Sequence, residues 1–234
     1  MKHKVPVLMY HDIIKEDNDY GVNIKLFYKQ MLLMKKMGYE SINLNQIENV
    51  SSNKTFVITF DDGYENVYTY AMPILKKLNF TATCFFVSNF INKSNDWDKT
   101  FKNYVKKKIM TYNQIKSWAQ NNFEIGSHSF DHKNLNTLND NEIIKQLNES
   151  KLFIKKNFGR NVESFSYPYG KYNKEISLLV KKYYKFAVTT KRSRFDKSKF
   201  SLLEIPRIPI NPDTGVLKFY LKVKTYYEDL KFRK

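Results

Sequence analysis

The sequence has little of several residue types, and each scarcity excludes a class of protein. One cysteine among 234 residues rules out an internal disulfide framework. Only 7 glycines and 6 prolines are present, and no Gly/Ser-rich linker divides the chain, so we expect one domain over residues 1–234. The single cysteine, Cys84, lies in an apolar run typical of a buried strand, and we interpret it as a core residue rather than a nucleophile.

Long apolar runs are also absent. No segment reaches the roughly 18 consecutive apolar residues that a transmembrane helix needs. The apolar stretch Val5–Tyr10 is too short for the apolar region of a signal peptide. We therefore expect a cytoplasmic protein and leave open a peripheral contact with the inner face of the membrane.

Arginine is scarce, with only five residues among the 40 basic ones, yet the net charge is +17. Because lysine is spread along the whole chain, we interpret this charge as compositional bias rather than as a face built for an acidic partner. We predict no nucleic-acid partner. A basic surface that contacts a membrane stays as the alternative.

Short apolar runs alternate with longer amphipathic stretches, a pattern typical of β/α units around a parallel sheet. The apolar runs predict strands at Val5–Tyr10, Tyr39–Leu44, Phe56–Phe60, Ala82–Val87, Phe123–Gly126, Ser164–Tyr167, Phe186–Thr189 and Leu203–Ile208. The amphipathic stretches predict helices at Ile24–Met37, Asn66–Leu78, Tyr112–Gln120, Asn141–Phe158 and Lys174–Tyr183. This number of strands favours closure into a barrel.

Two further segments follow neither of these patterns of strand and connecting helix. An apolar stripe at 213–230 predicts an amphipathic C-terminal helix that covers the barrel, with Lys218, Lys222 and Lys224 lying away from much of the stripe. The polar, lysine-rich segment Asn89–Lys108 is either a substrate-facing loop or a surface excursion. We favour the surface excursion, although aromatic residues are scattered through it.

The sharpest local motif is Thr59-Phe60-Asp61-Asp62-Gly63, in which a buried-looking strand runs directly into two carboxylates. Functional groups gather at the carboxyl ends of strands in β/α folds. Adjacent like charges are costly unless a cation, a proton or hydrogen-bond donors relieve them. The motif therefore indicates either a metal ligand beside a free base or a surface turn with a helix cap.

The second motif, Gly126–His132, also follows an apolar strand and contains two of the four histidines, His128 and His132. Two imidazoles four residues apart can converge on one metal ion. With one carboxylate they leave coordination positions open, as catalytic sites do. We predict one divalent ion, with Zn²⁺ as the default and Co²⁺, Ni²⁺ or Fe²⁺ as alternatives.

Two weaker motifs complete the set. Ser164–Gly170 ends in an aromatic-Pro-aromatic-Gly corner, which can present a backbone N–H to an oxyanion or can simply pack on the core. His11 follows the first strand, where it is either a general acid or a hydrogen-bonded core histidine. Taken alone, the corner favours neither interpretation, and the position of His11 favours the hydrogen-bonded core histidine.

Taken together and in this order, the motifs resemble the polysaccharide deacetylases of the NodB-homology type, carbohydrate esterase family 4. The resemblance rests on Thr59–Asp62 and on the His-Ser-x-x-His pattern of His128–His132, and it extends from about Val5 to about Ile210. It implies an α/β fold, a distorted (β/α)7-type barrel that holds one metal ion. By the match, Asp62, His128 and His132 are the metal ligands.

The match also implies roles for residues outside the metal site. Asp61 resembles the catalytic base, and Tyr169 the residue whose backbone N–H stabilises the oxyanion. Ser166 stands where the family usually has an arginine, and no histidine follows His132 to supply the usual late acid. The Val7–His11 segment instead resembles the permuted branch that includes the poly-β-1,6-N-acetylglucosamine deacetylases, in which the acid histidine follows the first strand.

These expectations define a metal-dependent hydrolase that removes N-acetyl groups from an N-acetylhexosamine-containing glycan or glycan precursor. A metal-activated water, Asp61 as base and His11 as acid would carry the reaction. We further hypothesise that Arg207 replaces the arginine missing at Ser166. The alternatives are an O-acetyl esterase that uses the same site and a non-catalytic glycan-binding relative.

Overall fold

A computed structural model describes residues 4–16 and 21–231. The strands of this part of the chain are β1 Val7–Tyr10, β2 Ile13–Ile14, β3 Val22–Asn23, β4 Glu40–Ile42, β5 Thr55–Phe60, β6 Thr83–Phe86, β7 Glu124–Ser127, β8 Ser164–Ser166, β9 Phe186–Arg192 and β10 Ile205–Pro209. All eight strands predicted from the apolar runs are present. The two-residue strands β2 and β3 were not predicted, because two residues are too few to show an alternating pattern.

Seven strands close into a parallel barrel, which confirms the predicted fold class. The order around the ring is β1, β10, β9, β8, β7, β6 and β5, and β5 pairs in turn with β1. Strand β4 lies outside this ring. It pairs with residues 55–57 of β5, while β6 pairs with residues 59–60, so the two neighbours follow one another along β5.

Helices connect most of the strands and cover the barrel. They are α1 Ile24–Lys36, α2 Met72–Lys77, α3 Tyr112–Gln120, α4 Asp140–Phe158, α5 Lys174–Lys181, α6 Val216–Lys224 and α7 Tyr227–Lys231. A π-helical turn at Val67–Ala71 leads into α2, so the helix predicted at Asn66–Leu78 is present in two parts. Helix α4 begins with a capping box between Asn139 and Glu142 and ends at Gly159 in the left-handed conformation.

The core has two layers because side chains alternate across each strand. One layer lies between strands and helices, where Tyr10 packs against Phe27 of α1 and Phe60 of β5. The other lies inside the barrel and includes Val57 and Ile205. Cys84 is fully buried, as expected for a core residue, and burial raises the pKa of its thiol.

The C-terminal stretch differs from the single helix predicted at 213–230. Thr225 has extended backbone dihedrals, so it ends α6, and α7 begins two residues later. Phe219 and Val223 of α6 are buried, whereas Leu217 and Leu230 are exposed. Among the described residues, no helix combines the length and the apolar character that crossing a bilayer requires.

The interpretation that Lys222 lies away from the buried face of this segment was wrong. Its side chain is 2% exposed, and its ammonium forms an ion pair of 2.7 Å with the fully buried Glu228 of α7. The same carboxylate binds Arg192 at 2.8 Å. The break at Thr225 explains the difference, since only a chain that turns there can bring Glu228 back beneath α6.

Glu228→Ala should destabilise the protein strongly, because it leaves Lys222 buried without its compensating charge. Loss of one partner of a buried ion pair costs about 3–5 kcal/mol, so the free energy of unfolding measured with urea should fall by that amount. Lys218 lies on the same helix as Lys222, and Lys218→Ala removes only an exposed ion pair with Asp213, so it serves as the control. The control should lose at most about 1 kcal/mol. Equal effects of the two variants would contradict this account.

Candidate active site

The predicted site residues converge at the carboxyl ends of the barrel strands. His11 follows β1, Asp61 follows β5, and His128 follows β7. Because all neighbouring strands of the barrel are parallel, these ends lie on one rim. The alternation that places Val57 and Ile205 inside the barrel also turns Thr59 and Arg207, two residues further along, towards the same interior.

The turn after β5 directs the two adjacent carboxylates to different partners. The Asp61 N–H still donates to the Tyr10 carbonyl at 3.0 Å, as in a continuing strand. Asp62 then adopts a left-handed conformation with φ 71°, and Gly63 follows with φ 72°. A Cβ at Gly63 would lie 2.5 Å from the Phe86 ring, so this position requires glycine. The tight turn thus separates Asp61 from Asp62.

Asp62, His128 and His132 form a compact triad. The Oδ1 atom of Asp62 lies 3.6 Å from the Nε2 atoms of both histidines. These two Nε2 atoms are 3.2 Å apart. His128 Nδ1 lies 2.7 Å from the Ser166 carbonyl, which can only accept, so Nδ1 carries the proton and Nε2 presents its lone pair to the triad.

The geometry of the triad fits a divalent metal ion. Ligand atoms on a tetrahedral zinc ion, each about 2.0–2.1 Å from it, lie roughly 3.3 Å from one another. The three ligand atoms all lie within 4.8 Å of one another, and the three residues are buried. Burial, and then the neighbouring His128, lower the pKa of His132, which favours the neutral imidazole that a metal binds.

Asp61 faces Arg207 instead of His128 and His132. Two nitrogens of the guanidinium each lie 2.7 Å from one of the Asp61 carboxylate oxygens, a bidentate ion pair with both side chains buried. The Ser166 hydroxyl lies 3.3 Å from both partners. The structure therefore brings Arg207, from β10, to the position beside Ser166.

This ion pair sets the protonation state of Asp61. Burial alone would raise the pKa of its carboxyl, but the charge and the hydrogen bonds of Arg207 outweigh burial and hold the pKa well below its ordinary value. His11 Nε2 lies 3.8 Å from Asp61 Oδ2. The His11 side chain is 47% exposed, which makes it accessible to a bound substrate and excludes the alternative of a core histidine.

Tyr169 lies beside the triad at the end of the β8 segment. Its ring centroid is 4.5 Å from that of His132, and its backbone is left-handed with φ 57°. Asp62, Ser129 and His132 also have positive φ. The three other described non-glycine residues in this conformation are asparagines, which tolerate it well, so the strained positions that are not asparagine all lie at the site.

Residues 89–108 contact this site, which contradicts the favoured interpretation of a surface excursion. The Trp97 ring centroid is 5.1 Å from that of His132, and the Tyr169 hydroxyl donates to Asp98 Oδ1 at 3.3 Å. Neither Trp97 nor Asp98 was predicted as a site residue. The signal that could have found them was the presence of aromatic residues, including Phe101, in an otherwise polar segment.

Comparisons with known proteins identify the family. A family model described as polysaccharide deacetylase matches residues 48–187. The Bacillus subtilis protein named "Putative polysaccharide deacetylase YxkH" is 30% identical over 89% of this chain and 72% of its own length. The poly-beta-1,6-N-acetyl-D-glucosamine N-deacetylase of Staphylococcus aureus is 28% identical over 85% of this chain and 71% of its own length.

A solved structure shares the fold of this chain. The crystal structure of BC0361, a polysaccharide deacetylase from Bacillus cereus, has a TM-score of 0.83 and 27% identity to this chain. The match covers 95% of this chain and 70% of that one. By its family model, its relatives and its fold, the chain belongs to the polysaccharide deacetylase family.

Proposed function

We propose that the protein is a metal-dependent hydrolase that removes N-acetyl groups from an N-acetylhexosamine-containing glycan or glycan precursor. The observation that carries this proposal is the separation of Asp61 from Asp62. One carboxylate faces two histidines, and the other stays ionised beside Arg207 and His11. The S. aureus relative, named as an N-deacetylase of poly-β-1,6-N-acetylglucosamine, supports the substrate class.

Asp62, His128 and His132 would hold the metal ion, with Zn²⁺ as the default. When bound, such an ion would polarise the acetyl carbonyl and lower the pKa of water, so that water can lose a proton and attack at neutral pH. The protein supplies the orientation of the ligands, since the Ser166 carbonyl fixes the His128 tautomer. A buried Tyr64 borders the site as a neutral phenol, because burial and the charge of Asp62 raise its pKa.

Asp61 is the general base in this proposal. Arg207 holds its carboxylate in one orientation and in the ionised form that can accept the proton of the attacking water. A carboxylate with a lowered pKa retains a proton only briefly. His11 Nε2, at 3.8 Å from Asp61 Oδ2, offers a short path for that proton.

His11 acts as the general acid. An amine is a poor leaving group, so the sugar nitrogen needs a proton as the C–N bond breaks, and an exposed imidazole beside Asp61 can deliver it. The Tyr169 backbone N–H serves as a donor to the oxyanion, since its left-handed conformation presents the backbone at the rim beside His132. A non-catalytic glycan-binding protein would need neither Asp61 nor His11.

The decisive test is acetate release from N-acetylglucosamine oligomers, with β-1,6-linked and β-1,4-linked oligomers compared. We expect release that stops when a chelator removes the metal and returns when Zn²⁺ or Co²⁺ is added. Two neighbouring substitutions provide matched variants. Asp62→Asn should lose metal, whereas Asp61→Asn should keep its metal content and lose about 10²–10⁴-fold in turnover.

Acetate release that is unchanged by a chelator would contradict the metal-dependent mechanism. Full turnover in Asp61→Asn would remove Asp61 from the role of base. Metal content, measured on the purified variants by elemental analysis, distinguishes the two roles without relying on activity.

Substitution of Arg207 should shift the pH dependence of the reaction. Without the guanidinium, burial dominates and raises the pKa of Asp61, so the base becomes protonated at higher pH. The acidic limb of the kcat/KM profile should therefore move to higher pH in Arg207→Ala and less in Arg207→Lys. Arg160→Ala, at an exposed position that precedes β8 and lies away from the carboxyl ends of the strands, is the control. An unshifted profile and full turnover in Arg207→Ala would end the assignment of Arg207.

His11→Gln should affect substrates according to their leaving group. Loss of the acid should slow acetate release from the amide by about 10²–10⁴-fold, because the amine cannot leave unprotonated. The nitrophenolate of p-nitrophenyl acetate leaves without a proton, so that ester should lose less than about tenfold. Equal losses on both substrates would exclude His11 as the acid. Faster hydrolysis of O-acetyl than of N-acetyl sugars by the unmodified protein would favour the esterase.

A further inference from the structure

A short 3₁₀ turn, Asp96–Asp98, places an acidic side chain next to the candidate metal centre. Asp98 Oδ1 accepts a hydrogen bond from the Tyr169 hydroxyl, and the Tyr169 ring packs 4.5 Å from the ring of His132. The preceding residue, Trp97, contacts His132 as well. Asp98 is therefore separated from a metal ligand by a single side chain.

Asp98 differs from the other carboxylates at this rim in its charge balance. Asp61 is paired with Arg207, and Asp62 faces two histidines. Within the described parts of the chain, Asp98 has no Lys or Arg at ion-pair distance, whereas Asp96 on the same turn lies 3.5 Å from Lys99. Burial is the first cause that raises the pKa of Asp98, as expected for a half-buried carboxylate without a cationic partner.

Two aromatic rings beside Asp98 are open to a ligand. Tyr169 is 40% exposed and Phe101 55% exposed, and their ring centroids are 6.3 Å apart. An aromatic face attracts a cation placed over it, and the attraction adds to that of a neighbouring carboxylate. The rings and the carboxylate together have the composition of a site for an organic ammonium ion.

The proposed reaction generates such a cation. Each turnover converts a neutral acetamide into an amine that is protonated at neutral pH, so a glycan that is being processed carries ammonium groups beside its remaining acetamides. The protein's net charge of +17 disfavours a cationic polymer at long range. A local anion at the rim reverses that preference within a few ångströms of the site.

We propose that Asp98, with the ring of Tyr169, forms a subsite for the ammonium group of an already deacetylated hexosamine unit that neighbours the unit under attack. This inference rests on the proposed function. Its consequence is a preference for partially deacetylated glycans over fully acetylated ones, so that successive turnovers occur on the same stretch of a chain.

The test compares two oligomers of equal length, one fully acetylated and one with a single glucosamine unit. For the unmodified protein, kcat/KM should be about two- to fivefold higher for the oligomer that contains glucosamine, the range expected for one partly exposed ion pair. In Asp98→Asn this ratio should fall to about one. The amide can still accept the Tyr169 hydrogen bond, so the variant removes the charge and keeps that contact.

Asp96→Asn is the matched control, since it removes a carboxylate from the same turn without facing Tyr169. It should retain the ratio of the unmodified protein. Added salt should reduce the ratio in the unmodified protein and leave it unchanged in Asp98→Asn. A ratio that persists in Asp98→Asn, or equal losses on both oligomers, would overturn the subsite and leave Asp98 with only a structural role.

Binding provides a readout that does not depend on turnover. Titration calorimetry with a glucosamine oligomer should show weaker binding to Asp98→Asn than to Asp96→Asn, by a factor similar to the kinetic one. Equal binding to both variants would refute the inference. If the unmodified protein released no acetate from either oligomer but bound glucosamine through Asp98, the proposed function would fail and the subsite would stand.

Discussion

The guanidinium of Arg207 joins strands from both sides of the closed barrel at the base of the site. Its nitrogens donate to the Thr189 carbonyl of β9, to Thr59 and Asp61 at the end of β5, and to Ser166 of β8. A buried cation needs such complete pairing, because one unpaired partner would cost several kcal/mol. Since these donors have a fixed fork geometry, the pairing also fixes the Asp61 carboxylate. The proposed roles of the neighbouring groups depend on this orientation, because the proposal requires an Asp61 carboxylate that stays separate from His128 and His132.

The backbone conformation of the site has an energetic cost that the surrounding contacts offset. Left-handed conformations at Asp62, Ser129, His132 and Tyr169 each cost on the order of 1 kcal/mol or more. Local hydrogen bonds oppose this strain. The Ser129 hydroxyl accepts from the His132 N–H, and Gln146 of α4 binds both the backbone and the carboxylate of Asp131. The site is thus held by helix α4 outside the barrel as well as by the strands.

The sequence was sufficient for the strands and for the polar residues at the rim because both follow local patterns, whereas the choice of Asp62 over Asp61 for the triad came from the family resemblance. Apolar runs mark the strands, and polar residues directly after them mark the rim. The contacts of Trp97 and Asp98 could not be predicted in this way, since they join residues more than 30 positions apart through a segment without periodicity. The burial of Lys222 was missed for a related reason. The helical spacing of apolar residues continues past Thr225 and does not predict the turn there. Only this turn brings Glu228 to Lys222.

Closure of the barrel also bears on the two departures from the usual family motifs, the arginine missing at Ser166 and the missing late histidine. In a closed ring the first strand is the neighbour of the last, and here β1 pairs with both β5 and β10. A histidine that follows β1 therefore reaches the same part of the rim as one that follows a late strand. The same holds for the arginine, which can extend from β10 towards Ser166 on β8 because both side chains point into one narrow interior. The proposed mechanism requires a guanidinium against Asp61 and an imidazole beside it, and a ring of strands permits each to come from more than one position in the chain.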